Sequence, residues 1–530
     1  MTKKIEKIIL ILLISYSIYI SLIVGMGWDE IVHQKNGKNL IRYLFSIGNL
    51  EYRSLGLPFH FGFYDAFSHF VSLNFPIKYS VFSHHITNLF FSIMTIIGIS
   101  QLTKFLFNKK LSKFVYVITF LNPIFFGHMS VNPKDTIIAF ALVWINLLFL
   151  KYLKFQKIDF KRTRYIYFIA LILSIGLSIR LTFIATLIPI FLIFIYEVAF
   201  NKKNSFILKH FLIDFLKVFL ISYLVTIAFW PEMHKNIFTQ NEIISKYFNS
   251  LINGEYGLYW GLIDGQAYNL SNVPKNYLYV NLFYRMPEFF VFSLPILIFI
   301  LFYDFNFFKN RFLNFKKNLI YSSCFIIVPI LIITLMSVKA NNGLRYFLFL
   351  LPFLSIVPAL VIFYLYENKK KILNKVILFF LIISFCSYFI NFIRIAPYHY
   401  TYINYFNGKF SNNLNKFQND YWGLSIKELI GKFETSYSID RHQKYKIAFC
   451  GVSLDIAQYY LDKIKNFNYI KVSSNEDYDF IVMVNLLNGD RSSTFKNIKS
   501  CYTQFSGNDL FSVERSELKL SIIRDNHKNN

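Results

Sequence analysis

Between Tyr165 and Tyr196 the chain reads YIYFIALILSIGLSIRLTFIATLIPIFLIFIY, 32 residues with a single charge at Arg180. As one straight helix this run would extend about 48 Å at 1.5 Å per residue, too long for roughly 30 Å of hydrocarbon. Basic stretches flank it on both sides, Lys151 to Arg164 before it and Lys202 to Lys209 after it. Short loops rich in Lys and Arg stay on the cytoplasmic face of a membrane. The chain must therefore return to the side it left, and the run is read as two short helices that meet near Arg180.

Runs of similar apolarity lie on either side. Ile8–Met26, Val81–Leu102, Phe114–Phe126, Thr136–Leu150, Phe206–Phe229, Phe289–Tyr303, Leu319–Val338, Tyr346–Tyr364 and Val376–Ile395 each read as one crossing. With the divided run they predict an all-α polytopic membrane protein of about 11 transmembrane helices. The composition agrees: 55% of the 530 residues are hydrophobic and 16% charged, where a soluble domain carries about a quarter charged residues. Four Cys are too few for a disulfide scaffold.

A net charge of +26 suggests nucleic acid, but its distribution excludes that partner. Lys and Arg gather in Lys3 to Lys7, Lys104 to Lys113, Lys151 to Arg164, Lys202 to Lys209, Lys309 to Lys317 and Lys369 to Lys375, with only Glu6 and Asp159 among them. The alternate connections are balanced in charge. This is the positive-inside pattern, with a cytoplasmic N-terminus and an extracytoplasmic C-terminus. The first run is longer than a signal-peptide core and no small-residue cleavage site precedes Trp28, so it is expected to remain as an anchor.

The expected organisation is a membrane module over 1–395 with long external loops at 27–79 and 230–286. A juxtamembrane segment, 396–439, leads to a small external α/β domain at 440–530. In that domain Tyr445–Val452, Tyr469–Val472, Phe480–Val484 and Leu518–Ile523 read as strands and Ile456–Ile464 as a helix. Cys450 and Cys501 both fall there, either as a disulfide or as two buried thiols.

Trp28-Asp29-Glu30 stands directly outside the first crossing. Its acids can cap the following helix, or one can act as a general base where a lipid-linked substrate presents its head group. Gly127-His128-Met129-Ser130-Val131-Asn132-Pro133-Lys134-Asp135 opens another helix. Asp135 there can cap, and Lys134 can meet a phosphate at a depth where ionisable groups are costly unless used. Arg180 and Arg345 either snorkel to the interface or neutralise a phosphate with a planar two-pronged fork. A departing polyprenyl phosphate gathers negative charge that fixed cations stabilise, while a carboxylate takes the acceptor's proton. Composition and topology alone do not separate this from a secondary transporter, which would show two similar halves with paired broken helices.

The motifs, in order, resemble the GT-C fold glycosyltransferases of the protein mannosyltransferase and aminoarabinose transferase type (family 39-like). Trp28-Asp29-Glu30 with His33 and Gly37 resembles the acidic motif of the first loop, and Phe61-Gly62-Phe63-Tyr64-Asp65 the element after it. Gly127-His128 through Asn132-Pro133-Lys134-Asp135 resembles a signature of one bacterial branch, and Gly176-Leu177-Ser178-Ile179-Arg180 the short fifth and sixth helices. Gly265-Gln266 through Asn272-Val273-Pro274 and Tyr277-Leu278, then Arg345-Tyr346, resemble the later loop motifs. Pro397-Tyr398 with Tyr402-Ile403-Asn404-Tyr405-Phe406, and Asp420-Tyr421-Trp422-Gly423, resemble the segment after the last helix.

The resemblance covers roughly residues 27 to 430. It implies Asp29 as catalytic base supported by Glu30, and Arg345, Lys134 and Arg180 on the donor phosphate. Asp135, Tyr64 and Asp65 would orient the substrate, and His128 would pack or hydrogen-bond locally. Some members bind a divalent metal between loops through a paired acidic motif that this chain lacks. Asp29, Glu30 and Asp135 are the oxygen ligands that a Mg²⁺ would use, and no cofactor is required in this reading.

The expected activity is inverting transfer of a sugar from a polyprenyl-phosphate donor to an acceptor hydroxyl on a glycan, lipid or protein. It would take place at the outer face of a bacterial cytoplasmic membrane. The alternatives are the secondary transporter and a non-catalytic GT-C-like envelope scaffold.

Overall fold

The computed structural model describes residues 3–47, 49–52, 62–200, 208–234, 241–242, 244–246, 249, 260–336, 339–409, 414–440, 442–488 and 498–526. Phe61, Lys202, Lys203, the first two residues of the expected Phe206–Phe229 crossing, and Val338 lie outside the described residues, as do parts of both long loops.

Among the described residues nine helices are long and apolar enough to cross a membrane, or ten if the bent pair Tyr277–Arg285 and Glu288–Tyr303 is one span. The chain opens with α1 (Lys3–Ile23), α2 (Glu30–Phe45), α3 (Phe63–Ser72), α4 (Ser80–Leu106), α5 (Lys109–Phe120), α6 (Pro123–His128), α7 (Asp135–Phe155) and α8 (Asp159–Ile179). The divided run breaks where expected. Arg180 leaves α8 in an extended conformation, φ −155° and ψ 130°, and Leu181–Phe200 returns. The two helices are not short, at 21 and 20 residues, because α8 begins at Asp159 and takes in the basic stretch before Tyr165.

Two expected crossings are shorter than a span. In place of Phe114–Phe126 the chain forms α5, of 12 residues, and then α6. Twelve residues reach only about 18 Å. Asn122 starts α6 by accepting the Phe125 N–H at 3.0 Å, with Pro123 in the first helical position, so the chain turns there. The expected Phe289–Tyr303 crossing is the 16-residue helix Glu288–Tyr303. Pro287 separates it from Tyr277–Arg285, and the two helices bend by 111°.

Burial divides the helices into core and periphery. The apolar stretch of Asp135–Phe155 is 89% buried and that of Arg345–Glu367 83%, against 17% for Lys4–Ile23 and for His210–Ala228. The two central helices carry Asp135 and Arg345 at their starts, so both side chains stand on the most constrained backbone of the bundle. The peripheral helices turn Leu212, Phe215, Phe219 and Leu224 outward. That is a lipid-facing surface, since the helix satisfies its own backbone bonds and asks nothing polar of its surroundings. Lys113 pairs with Glu6, and Lys110 and Arg311 share Glu367. These basic clusters therefore meet at one end of the bundle, as the charge pattern requires.

The chain after the last span forms a five-stranded sheet in the spatial order Tyr469–Lys471, Tyr445–Cys450, Phe480–Val484, Leu518–Asp525, Asp509–Arg515. Its strands are β3 (Tyr445–Cys450), β4 (Tyr469–Lys471), β5 (Phe480–Val484), β8 (Asp509–Arg515) and β9 (Leu518–Asp525). The small pairs are β1 (Trp260–Ile263) with β2 (Gln266–Asn269), and β6 (Leu487–Asn488) with β7 (Lys499–Ser500). β3 runs parallel to β4 and β5, and β9 antiparallel to β5 and β8. β5 is buried along its whole length, as its unbroken apolar sequence demands of a central strand. The crossover helix from β3 is Leu454–Leu461, and the helix Ile426–Ser436 lays Phe433 against Phe467, Phe480 and Phe511. Cys450 and Cys501 form a disulfide with Cα atoms 5.7 Å apart.

Candidate active site

Asp29 occupies the residue before α2, yet its side chain makes no capping hydrogen bond. The capping reading fails there. Glu30 takes the inward role instead: one carboxylate oxygen accepts the Gly27 N–H at 3.0 Å and meets His85 Nε2 at 3.1 Å. Asp135 opens α7, but the orphan N–H groups of that helix start go to Asn132. Its Oδ1 accepts from Lys134 N at 3.1 Å and from Asp135 N at 2.9 Å, while its Nδ2 donates to Asp135 Oδ2 at 3.0 Å. Both aspartates therefore turn their carboxylates toward cations.

Those cations come from three separate places in the chain. Lys134 Nζ lies 3.5 Å from Asp29 Oδ2, and Arg345 Nη1 lies 3.9 Å from the same oxygen. Arg345 Nε stands 3.8 Å from Asp135 Oδ2, and Arg180 Nη2 stands 3.1 Å from Asp135 Oδ1. Neither arginine snorkels away. Arg345 is packed over Tyr346 and Trp422, with its Cζ 4.6 and 5.3 Å from the ring centres, and Arg180 lies 5.1 Å from the same Tyr346 ring. Exposure separates the two acids: the Asp29 side chain is 24% accessible and that of Asp135 5%. Only the first is open to an incoming proton donor.

Tyr64, Asp65 and Glu30 belong to a buried layer behind this cluster. His33 Nδ1 meets Asp65 Oδ1 at 2.8 Å, Ser68 meets His84 at 2.6 Å, and the Tyr64 hydroxyl donates to Asn88 Oδ1 at 3.1 Å. Asn88 also donates to the Met129 carbonyl at 2.9 Å, which ties the layer to the loop that presents Lys134. A small cavity opens among these residues, with Ser130 and Pro133 in its wall. Tyr64 and Asp65 thus sit apart from the five charged side chains, bonded to the scaffold under them.

His128 is fully buried, with Nε2 2.9 Å from the Tyr421 hydroxyl. Burial, with Arg345 and Arg285 nearby, brings its pKa down to about 3, so it is neutral and part of the packing. Among the described residues no group of three or more His, Cys, Asp or Glu is arranged to hold a metal ion. The oxygens named for Mg²⁺ have other partners, since Glu30 faces His85 and Asp135 faces two guanidinium groups.

Sequence reasoning gave no role to Trp422, which packs under Arg345 from a motif almost 80 residues downstream. It also passed over His85 and Asn88, which sit in an apolar helix without a local pattern. Arg285 was missed as well. Its guanidinium is 2% exposed and donates to Asn281 Oδ1 at 3.0 Å and to the Gln418 carbonyl at 3.2 Å. A Cβ on Gly343, φ +65°, would come within 2.8 Å of its Nε. The arginine thus braces the loop that leads to Arg345.

No protein-family model and no curated protein sequence matches the chain. Solved structures do. ArnT from Cupriavidus metallidurans, in the apo state, aligns at a TM-score of 0.51 and 10% sequence identity over 97% of both chains. The Archaeoglobus fulgidus oligosaccharyltransferase tethered to an acceptor peptide aligns at 0.48 and 11% identity, over 87% of this chain and 63% of that one. At these identities the likeness to ArnT is one of fold, and it runs the length of the chain, sheet domain included.

Proposed function

We propose, from the GT-C fold of this chain, that it is a membrane glycosyltransferase moving a sugar from a polyprenyl-phosphate donor to an acceptor hydroxyl on the extracytoplasmic side, with inversion. One observation carries the reading: Asp29, accessible and uncommitted to capping, stands 3.5 Å from Lys134 and 3.9 Å from Arg345. In this mechanism Asp29 accepts the proton of the acceptor hydroxyl as the oxygen attacks the anomeric carbon. The carbon–oxygen bond to the phosphate breaks, and the lipid phosphate leaves with a second negative charge into the field of Arg345 and Lys134. Arg180 holds Asp135, and Asp135 holds Arg345 at its working position.

Charge balance supports a monophosphate. Among the described residues Lys134, Arg180 and Arg345 against Asp29 and Asp135 leave one unit of positive charge, which matches a sugar-phosphate diester. Inversion is the outcome this scheme expects, since among the described residues Asp29 is the more accessible of the two carboxylates facing the cations and serves as base rather than nucleophile. The disulfide suits an oxidising compartment, which supports an outward sheet domain on the outer face of a bacterial cytoplasmic membrane. The acceptor is a glycan, lipid or protein hydroxyl. No metal takes part in this scheme.

The test is a transfer assay with the purified protein in lipid nanodiscs, supplied with polyprenyl-monophosphate and polyprenyl-diphosphate sugars. We expect free polyprenyl phosphate and a product of inverted anomeric configuration from the monophosphate donor, unchanged by a chelator. Retention of configuration, or turnover with the diphosphate alone, would overturn the mechanism. Absence of turnover together with passage of the sugar lipid across the bilayer would favour a transporter.

A further inference from the structure

The first membrane helix ends at Ile23, and six residues later the chain must present Asp29. A helix end leaves carbonyls without partners. Here the partners come from a segment about 400 residues away. Lys427 Nζ, on the helix Ile426–Ser436, donates to the carbonyls of Leu22 and Ile23 at 3.0 Å and of Val24 at 3.3 Å. An ammonium has three N–H groups, and all three are matched. Its positive charge also sits at the negative end of the helix dipole.

The next residues are fixed from the same direction. Met26 N–H donates to the Tyr460 hydroxyl at 2.9 Å, from the crossover helix Leu454–Leu461. Gly27 lies so close to the Trp422 ring that a Cβ there would overlap it. Trp422 in turn packs under Arg345. Carbonyls 22–24, amide 26 and residue 27 are thus all set by residues that follow the last membrane helix.

We propose that Lys427 and Tyr460 are positioning residues for Asp29, and that the chain after the last membrane helix, from Trp422 through the crossover helix of the sheet domain, is a working wall of the active site. The proposal deepens the transferase reading and rests on it for its catalytic consequence.

The test compares wild type, Lys427→Met and Tyr460→Phe as full chains in nanodiscs, by hydrogen–deuterium exchange and steady-state kinetics. We expect amide exchange in the segment 24–30 to rise about tenfold in both variants while Asp135–Phe155 keeps its protection. kcat should fall about 100-fold for Lys427→Met and less for Tyr460→Phe, with the donor KM little changed, because the phosphate cations stay in place. Unchanged exchange at 24–30 would overturn the proposal, as would a rise in donor KM with kcat intact. If Lys427→Met loses protection throughout, Tyr460→Phe decides. Raised exchange at 24–30 in a protein whose wild type transfers no sugar would uphold the positioning and reject the transferase reading.

Discussion

Arg345 meets Asp29 and Asp135 at 3.9 and 3.8 Å, beyond the 2.7–2.9 Å of a charge-assisted hydrogen bond. Among the described residues its short side-chain contact is from Nη2 to the Tyr346 hydroxyl at 2.7 Å. The guanidinium is held near two carboxylates without spending its donors on them, which is the state a phosphate requires. Arg345→Gln should lower kcat/KM by about 100- to 1000-fold, and Arg345→Lys should fall between, since a lysine keeps the charge and loses the planar fork. Equal activity of the glutamine variant in a donor-concentration series would remove Arg345 from the phosphate site. At this scale the residue types were legible in the sequence and their partners were not. Asp29 and Glu30 are adjacent and equally suited to capping. Only the fold shows Glu30 turned to Gly27 and His85 and Asp29 turned to Lys134.

The elements that present these residues are turns rather than helix interiors. Asn342 and Gly343 both take positive φ, 59° and 65°, immediately before Arg345. A side chain at 343 meets left-handed strain of about 1–2 kcal/mol and the Arg285 guanidinium. Gly343→Ala should therefore cost stability and displace Arg345, with the larger effect on the donor KM. A variant with wild-type KM and a lowered melting midpoint would confine the turn to a structural role. The apolar runs were legible because a membrane span imposes a length on them. The breaks were legible only where a charge marked one, as at Arg180. The break at Asn122-Pro123 lies inside an apolar stretch, so the expected crossing ran on past the end of the helix that forms; the bend at Pro287 lies beside another, whose helix matches the expected run but is too short to span alone.

On the scale of the whole molecule, the bundle and the sheet domain are joined through Asp420. The Tyr400 and Ser425 hydroxyls donate to it, as do the N–H groups of Leu424 at 2.9 Å and Ser425 at 3.1 Å. The Ser425 hydroxyl also meets Ser521 of β9 at 2.6 Å. Burial pushes the Asp420 carboxyl up to about 7, against those hydrogen bonds, which pull it down. Between about pH 4 and pH 7 the folded protein then holds a proton that the unfolded chain releases, so stability falls as pH rises, by up to ~4 kcal/mol. Denaturation midpoints across that range should decline for wild type and flatten for Asp420→Asn. Midpoints that rise with pH would contradict this role. The joint was hidden in the sequence because its two links beyond the local turn, Tyr400 to Asp420 and Ser425 to Ser521, span 20 and 96 residues. In the same way β8 escaped notice, since Asp-Leu-Phe-Ser-Val-Glu-Arg carries too little alternation to mark an edge strand.

The measurement closest to the central claim is a paired one on Asp29→Asn. Donor affinity would be read by equilibrium binding of the polyprenyl-phosphate sugar, and chemistry by single-turnover transfer. The account predicts affinity within about threefold of wild type and a transfer rate lower by about 1000-fold or more, the loss of a general base at an intact phosphate pocket. A transfer rate near that of wild type, or a loss of rate that only mirrors a loss of binding, would contradict it.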